Sequence, residues 1–148
     1  EDRQVSWLPS YGPEMRGGTA NCSVTVSDSP IGSPIISHPD ILIAMNLPSL
    51  DKYEDSVKPG GQIYIDSTLI ERKVNRTDVS AFYIPATQMA SDSGLTTLAN
   101  MIIMGKVLRE GGAVSYEGLG DALKKVVSAK HADLYDANMK AIEMGYNF

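Results

Sequence analysis

Cysteine is almost absent from this sequence, since Cys22 is the only one among 148 residues. A single thiol cannot form a disulfide within the chain, and such sparing use of cysteine is typical of proteins kept in a reducing cytosol. The chain alone also cannot hold an iron–sulfur cluster, because such a cluster needs about four thiolate ligands. We therefore predict a cytoplasmic protein that carries no iron–sulfur cluster of its own.

Long apolar runs and an excess of positive charge are also missing. No apolar run approaches the ~20 residues of a membrane-spanning helix, and the opening residues, EDRQVSW, do not read as a signal peptide. Thirteen basic residues against 18 acidic ones give a formal charge of −5. This acidic balance argues against nucleic acid and against an anionic membrane surface as partners.

Strands, polar turns and short helices alternate through the first two thirds of the sequence. The patterns predict a helix at 48–57, strands at 5–8, 22–27, 40–46 and 79–87, and a turn followed by a strand within 58–67, with Pro9 ending the first strand. The run DILIAMN at 40–46 is apolar throughout, which is typical of strands buried on both faces of a parallel sheet. The succession indicates an α/β domain, and the length suits a single domain over 1–148.

The last third of the sequence is predicted to be helical. The first helix is apolar over much of its circumference, which indicates packing on two sides, and its stripe consists of Leu95, Leu98, Ala99, Ile102 and Gly105, with Met101 and Met104 beside it. Ser115 is predicted to cap a second helix, and a third carries Leu134, Ala137, Ala141 and Ile142. The fold class predicted is a Rossmann-like, open, mostly parallel sheet flanked by helices, with a helical C-terminal third.

One part of such a fold has no counterpart in the sequence. A doubly wound domain usually opens with a strand, a glycine-rich turn and a helix, and its first strand lies near the middle of the sheet. This sequence instead begins with what reads as the second strand. We therefore expect the 148 residues to lack the first βα unit of the fold.

Three motifs are specific in combination, namely YGPEMRGG at 11–18, NLPSLDKY at 46–53 and PATQMA at 85–90. Together with the segments around them, they make essentially the whole chain resemble the gamma subunit of the 2-oxoacid:ferredoxin oxidoreductases that act on pyruvate, ketoisovalerate or 2-oxoglutarate. The fused pyruvate oxidoreductases contain the same domain internally. Members of this family normally begin with a strand and a GxGGQG-like turn, whose absence here agrees with the missing first unit.

The resemblance implies a subunit of an enzyme of anaerobic metabolism, a hetero-oligomer with alpha, beta and delta-type partners. That enzyme decarboxylates a 2-oxoacid on thiamine diphosphate, passes electrons through iron–sulfur clusters to ferredoxin and transfers the acyl group to coenzyme A. The sequence has no GDG…N motif for magnesium and diphosphate, no Walker loop and no histidine-rich metal spacing. Thiamine diphosphate, magnesium and the clusters are therefore expected on partner subunits, with no cofactor in this chain and no activity in isolation.

Three hypotheses remain open at this point. The chain is such a gamma subunit, a stand-alone α/β domain that binds a nucleotide or an acyl ligand, or the related subunit of an indolepyruvate oxidoreductase. The stand-alone reading is weakened by the missing glycine-rich turn, which is where a phosphate would bind.

The loop at 11–18 holds most of the candidate site residues, which are Tyr11, Glu14, Arg16, Gly17 and Gly18. A guanidinium at Arg16 is suited to a carboxylate or phosphate, and the two glycines permit close approach of a ligand or a second backbone. The loop is interpreted either as the border of a shared active site or coenzyme A channel, or as a contact between subunits, or as an ordinary turn. We expect no catalytic residue in this chain.

Three further polar residues, Asn46, Asp66 and Thr87, follow or end predicted strands. The carboxyl ends of parallel strands line the ligand crevice of open α/β sheets, so these side chains either border a ligand or cap the helices that follow. Cys22 is predicted to be a buried, inert thiol, since it alternates with the same phase as the valines of its strand. His38 and His131 are expected to be solvated or capping residues.

Overall fold

A computed structural model describes residues 2–10, 20–127 and 132–148 of the chain. These residues form two compact units, Glu1–Pro39 and Asp40–Phe148, each built around its own sheet. The second unit has the predicted α/β architecture, with parallel strands, flanking helices and a helical C-terminal third. Within the described ranges, no helix is both long and apolar enough to cross a membrane.

The first unit is a two-stranded antiparallel sheet. Strand β1 (Gln4–Ser10) pairs with β2 (Asn21–Ser27), which places Trp7 opposite Val24 and Pro9 opposite Cys22. The prediction that Pro9 ends the first strand is wrong, because pairing continues to Ser10. A proline is tolerated here because β1 is an edge strand, on which the position that lacks an N–H group can face away from the partner.

One face of this hairpin is apolar and faces solvent. Val5 is 65% exposed and Trp7 63%, and the directly paired valines of β2 are exposed as well. We call this surface the apolar hairpin face; it consists of Val5, Trp7, Cys22, Val24 and Val26. The prediction of a buried Cys22 is wrong, since its side chain is exposed. The alternation correctly identified which residues share a face, but no described residue of this unit covers that face.

The second unit contains a three-stranded parallel sheet in the order β3-β4-β5. Its strands are β3 (Ile41–Ala44), β4 (Gln62–Asp66) and β5 (Ser80–Ile84). Helix α1 (Leu47–Tyr53) and a single 3₁₀ turn (Glu54–Ser56) connect β3 to β4. Helices α2 (Ala86–Asp92), α3 (Ala99–Glu110), α4 (Leu119–Val126) and α5 (Ala132–Tyr146) follow β5.

Strand β4 separates two hydrophobic cores, because successive side chains of a strand point to opposite faces. Tyr64 packs into one core with β5, α2, α3 and α5, and the members of that core are Tyr64, Ile84, Ala86, Ala90, Ile102, Ile103 and Ala141. Ile63 and Ile65 point to the other side and pack beneath α1, where the buried members are Ala44, Leu50, Val57, Ile63, Ile65 and Ile70. The central strand is therefore buried on both faces, as parallel sheets require.

Several boundaries of strands and helices differ from those predicted. The strand predicted at 79–87 ends at Ile84, since α2 begins directly after Pro85. Leu95 precedes α3 and lies in a turn, although it still packs on the first core. The prediction that Ser115 caps the second helix is wrong: Gly118 occupies the cap position, because a turn from Tyr116 to Leu119 delays the start of α4.

Helices α3 and α5 cross in direct backbone contact. A Cβ atom added at Gly145 would lie 1.7 Å from the carbonyl oxygen of Ile102, and one at Gly105 would lie 2.0 Å from the carbonyl oxygen of Ile142. Glycine is thus required at both positions, because any side chain would force the two helices apart. Near the same crossing, the Arg109 guanidinium donates to the carbonyl oxygen of Tyr146 at 2.8 Å.

Replacing either crossing glycine tests this contact. Gly145→Ala should lower the free energy of unfolding by at least about 2 kcal/mol, because the clash is with backbone atoms that cannot rotate away. Gly118→Ala is the matched control, since the nearest atom to its added Cβ is the Ser115 hydroxyl at 4.0 Å. Urea denaturation followed by circular dichroism measures both, and equal midpoints for the two variants would contradict the contact.

Candidate functional site

The predicted site residues divide into those that the structure describes and those that it does not. Tyr11, Glu14, Arg16, Gly17 and Gly18 lie outside the described residues, as does His131. Asn46 is described, together with Asp66 and Thr87. These three belong to the carboxyl edge of the parallel sheet, where β3, β4 and β5 all end.

Asn46 caps the helix that follows β3. Its backbone is extended, with φ −151° and ψ 158°, and its side-chain oxygen accepts a hydrogen bond from the Ser49 N–H at 2.9 Å. Pro48 lies in the first turn of α1, where its missing N–H group costs nothing. The capping interpretation of Asn46 is therefore confirmed, and its amide oxygen is already engaged.

Asp66 is a fully buried carboxylate at the end of β4. It accepts hydrogen bonds from the Thr68 N–H at 3.1 Å, the Thr87 N–H at 3.2 Å and the Thr87 hydroxyl at 2.5 Å. Burial of a carboxylate is tolerated only when its oxygens are bonded in this way. The structure thus brings Asp66 and Thr87 together, and their contact is a cap rather than an open crevice.

The amino end of α2 is capped from the neighbouring strand. Pro85, at the cap position, contributes no side-chain hydrogen bond. Instead Asp66 binds the Thr87 N–H, and the Thr68 hydroxyl accepts from the Gln88 N–H at 3.1 Å. This arrangement follows from the parallel topology, because the carboxyl ends of adjacent strands meet at one edge of the sheet.

A group of charged residues that sequence reasoning missed fixes the segment at 70–78. Glu54 is almost fully buried; its carboxylate pairs with Arg72 at 2.7 Å and accepts from the Asn75 N–H. Arg72 also bonds Asp51 at 2.6 Å, and these hydrogen bonds raise the pKa of the Arg72 guanidinium. The partners are distant in sequence, so no local motif signals them.

Arg76 extends the same arrangement. Its guanidinium donates to the backbone carbonyls of Glu54 and Val57 and pairs with Asp78 at 2.7 Å, which lowers the pKa of the Asp78 carboxyl. Through these hydrogen bonds and ion pairs, the charged groups connect the 70–78 segment to other parts of the second unit. Their role is to hold the 70–78 segment against α1 and its 3₁₀ turn.

Tyr64 connects the sheet to α3. Its ring stacks on Phe82 with centroids 4.8 Å apart, and its hydroxyl donates to the Gln62 side chain at 2.9 Å. The Gln62 amide in turn donates to the carbonyl oxygen of Glu110 at 3.0 Å. Burial, assisted by the negative charge of Glu110, raises the pKa of Tyr64 to about 12. The phenol therefore stays protonated at neutral pH and is suited to a structural hydrogen bond.

A cavity of about 390 Å³ opens at the opposite, amino edge of the sheet, beside Asp40, Lys58 and Gln62. Its polar groups are already bonded: Lys58 pairs with Asp40 at 2.7 Å, and the Gln62 N–H donates to the Asp40 carbonyl at 2.9 Å. Across the described part of the chain, no group of three or more His, Cys, Asp or Glu side chains is placed to hold a metal ion. At both edges of the sheet, Asn46, Asp66 and Asp40 are engaged in hydrogen bonds or ion pairs within the fold.

Asp66 and Asn46 both cap helices, but they accept different numbers of hydrogen bonds. Asp66→Ala leaves two N–H groups and a hydroxyl without their acceptor, and should lower the free energy of unfolding by about 2–3 kcal/mol. Asn46→Ala removes one exposed cap, which should cost about 1 kcal/mol. Urea denaturation of both variants measures the difference, and a larger loss for Asn46→Ala would refute the central position assigned to Asp66.

Comparisons with known proteins point to one family. The profile of the family described as "Pyruvate ferredoxin/flavodoxin oxidoreductase" matches residues 1–148. The ketoisovalerate oxidoreductase subunit VorA of Methanothermobacter thermautotrophicus is 37% identical over 146 residues, which are 98% of this chain but 30% of VorA. The 2-oxoglutarate synthase subunit KorC of Methanocaldococcus jannaschii is 32% identical over 148 residues, covering 99% of this chain and 78% of KorC.

A solved structure shows the same fold. The gamma subunit of the keto/oxoacid ferredoxin oxidoreductase from Geobacter sulfurreducens PCA superposes with a TM-score of 0.78 at 30% identity, covering 98% of this chain and 79% of that one. The chain spans about 30% of the length of the VorA relatives and about four fifths of the length of the separate subunits.

Proposed function

Because this chain belongs to the pyruvate ferredoxin/flavodoxin oxidoreductase family, we propose that it is the gamma subunit, or gamma domain, of a 2-oxoacid:ferredoxin oxidoreductase. Such an enzyme converts a 2-oxoacid, coenzyme A and two oxidised ferredoxins into an acyl-CoA, carbon dioxide, a proton and two reduced ferredoxins. One observation carries the proposal: the same sequence matches most of a separate subunit and about a third of a longer one. A module found in both contexts works in contact with the rest of the enzyme.

The chain's own charged residues support an organising role within that enzyme. Asp66 caps α2, and Glu54 and Arg72 bind each other, so these side chains are committed to the fold. Among the residues that the structure describes, no three or more His, Cys, Asp or Glu side chains are grouped to hold a metal ion. In this proposal, thiamine diphosphate, magnesium and the clusters belong to alpha, beta and delta-type partner subunits, and the complex is cytoplasmic.

The apolar hairpin face supports a close contact with such a partner. It exposes two valines of β2 opposite Val5 and Trp7 on β1. An isolated two-stranded hairpin is marginally stable in water at best. Exposed apolar patches of this kind mark surfaces that are covered by another protein, and permanent complexes have large apolar interfaces.

The loop at 11–18 is the part of the chain that we propose to border the shared active site or the coenzyme A channel. Arg16 supplies a planar cation that suits the carboxylate of an oxoacid or the phosphates of coenzyme A. Gly17 and Gly18 have no side chain, so a ligand or a partner backbone can come close. Tyr11 and Glu14 add a hydroxyl donor and a negative charge at the same loop.

Activity of the assembled enzyme tests the function. The full-length chain, purified together with its companion subunits, should reduce ferredoxin or methyl viologen when coenzyme A and pyruvate, 2-ketoisovalerate or 2-oxoglutarate are supplied. The chain purified alone should show no turnover and no tight binding of thiamine diphosphate in calorimetry. Turnover by the isolated chain, or an assembled complex that is inactive with all three oxoacids, would contradict the proposal.

Arg16→Ala tests the role of the loop in the assembled complex. Loss of a charge-assisted contact worth about 1.5–3 kcal/mol should reduce kcat/KM for coenzyme A or the oxoacid by roughly 10- to 100-fold, with assembly unchanged. Arg109→Ala is the control, because Arg109 bonds a backbone carbonyl within the second unit. Unchanged kinetics for both substrates in Arg16→Ala would leave the loop with an interface or turn role only.

A further inference from the structure

The outer edge of β2 has no neighbouring strand in the described part of the chain, where the sheet of the first unit consists of β1 and β2. Pro9 lies opposite Cys22 and has no N–H group with which to complete a hydrogen-bonded pair, so this pair is of the non-hydrogen-bonded kind. The two kinds of pair alternate along an antiparallel ladder. The N–H and C=O groups of Cys22, Val24 and Val26 therefore point outward, away from β1.

The two edges of the hairpin differ in how well they resist pairing with another chain. On β1, the outward-facing row includes Pro9, and proline is one of the devices by which natural proteins protect an edge strand. The β2 strand, NCSVTVS, contains no proline, no lysine and no other charged residue. Its valines and its threonine favour extended structure. The edge that is open to a further strand is therefore that of β2.

The sequence of β2 suits pairing with an identical strand. Polar and apolar residues alternate along its whole length. An antiparallel pairing about a twofold axis at Val24, the middle residue, places Val24 opposite its own copy and Cys22 opposite Val26 of the second copy. Every apolar residue then meets an apolar residue, and every polar residue a polar one. Because a twofold axis brings like side chains together, a strand without charges pairs with itself without repulsion.

Such pairing also removes a weakness of the first unit. An isolated two-stranded hairpin is marginally stable in water at best, whereas sheets of three or more strands with an apolar face are stable on their own. A twofold axis perpendicular to the sheet keeps the apolar hairpin faces of both copies on one side. The four strands then share one continuous apolar surface, which stays available to companion subunits.

We propose that two copies of this chain pair through their β2 strands, antiparallel and about a twofold axis at Val24, to form a four-stranded sheet. The backbone groups of Cys22, Val24 and Val26 make the hydrogen bonds between the copies. The proposal assigns the β2 edge to a second copy and leaves the apolar hairpin face to other subunits, so it does not rest on the proposed function.

Charges placed at the twofold axis test this pairing. The full-length chain, purified without companion subunits, should sediment as a dimer in analytical ultracentrifugation. Val24→Lys should weaken dimerisation by at least about 10-fold, because two ammonium groups then lie opposite each other. Val24→Asp should do the same. An equimolar mixture of the two variants should restore the dimer, since lysine then faces aspartate, and a mixture that stays monomeric would contradict the pairing.

Val5→Lys is the matched control for these variants. Val5 belongs to the same apolar face and is 65% exposed, but it lies on β1, away from the proposed axis. Its replacement should leave the dimerisation constant within about 3-fold of the original. Equal weakening by Val5→Lys and Val24→Lys would show that the copies pack face to face and would overturn the proposal. So would a chain that is monomeric at every concentration, which would assign the edge to a companion subunit.

A disulfide tests the register. Residues paired across antiparallel strands have Cα atoms ~5.5 Å apart, a distance that a disulfide spans. In a Cys22→Ser background, Val24→Cys should therefore give a dimer linked through position 24 on mild oxidation, as identified by peptide mass spectrometry. In the unchanged chain, Cys22 would lie more than ~13 Å from its counterpart, four residues along the strand, and should not cross-link. Linkage through Cys22, or none through position 24, would refute the pairing.

Discussion

The burial of β4 on both faces is the constraint on which the second unit depends. Ile63 and Ile65 fill the core beneath α1, while Tyr64 packs against the helices on the other side. A strand in this position must end in polar groups that bond one another, since water is excluded from its carboxyl end. Asp66 meets that requirement by capping α2, and these hydrogen bonds join the end of β4 to the start of α2.

This constraint commits polar side chains of the second unit to holding the fold together. The polar side chains at the carboxyl edge of the sheet are used to cap helices, and the Glu54–Arg72 pair is used to fix a loop. The apolar hairpin face is not committed to the fold in this way, and the proposed site residues at 11–18 lie outside the described residues. A family whose members include both separate subunits and longer chains agrees with a module that acts through such surfaces.

Sequence patterns predicted the parts of the fold that depend on local periodicity. The apolar run at 40–46 correctly predicted β3, and the stripe that includes Ala141 and Ile142 correctly predicted α5. The exposed position of Cys22 was missed, because alternation shows which side chains share a face but not which face is covered. Helix capping was one of the two roles expected of Asp66, but neither its target, α2, nor the cap from Thr68 was predicted, since both require knowing that β4 and β5 are neighbours. The ion pair between Glu54 and Arg72 was also not predicted, because only the tertiary fold brings these two residues together.

Trp7 allows a direct measurement of whether the apolar hairpin face is an interface, because it is the only tryptophan in the chain and is 63% exposed. The chain can be labelled with 5-hydroxytryptophan, whose fluorescence is excited separately from that of unlabelled companions, and then quenched with acrylamide. We expect efficient quenching in the full-length chain alone and a several-fold smaller quenching constant in the active complex. Equal quenching in both would contradict the claim that this chain acts by packing its hairpin against the other subunits.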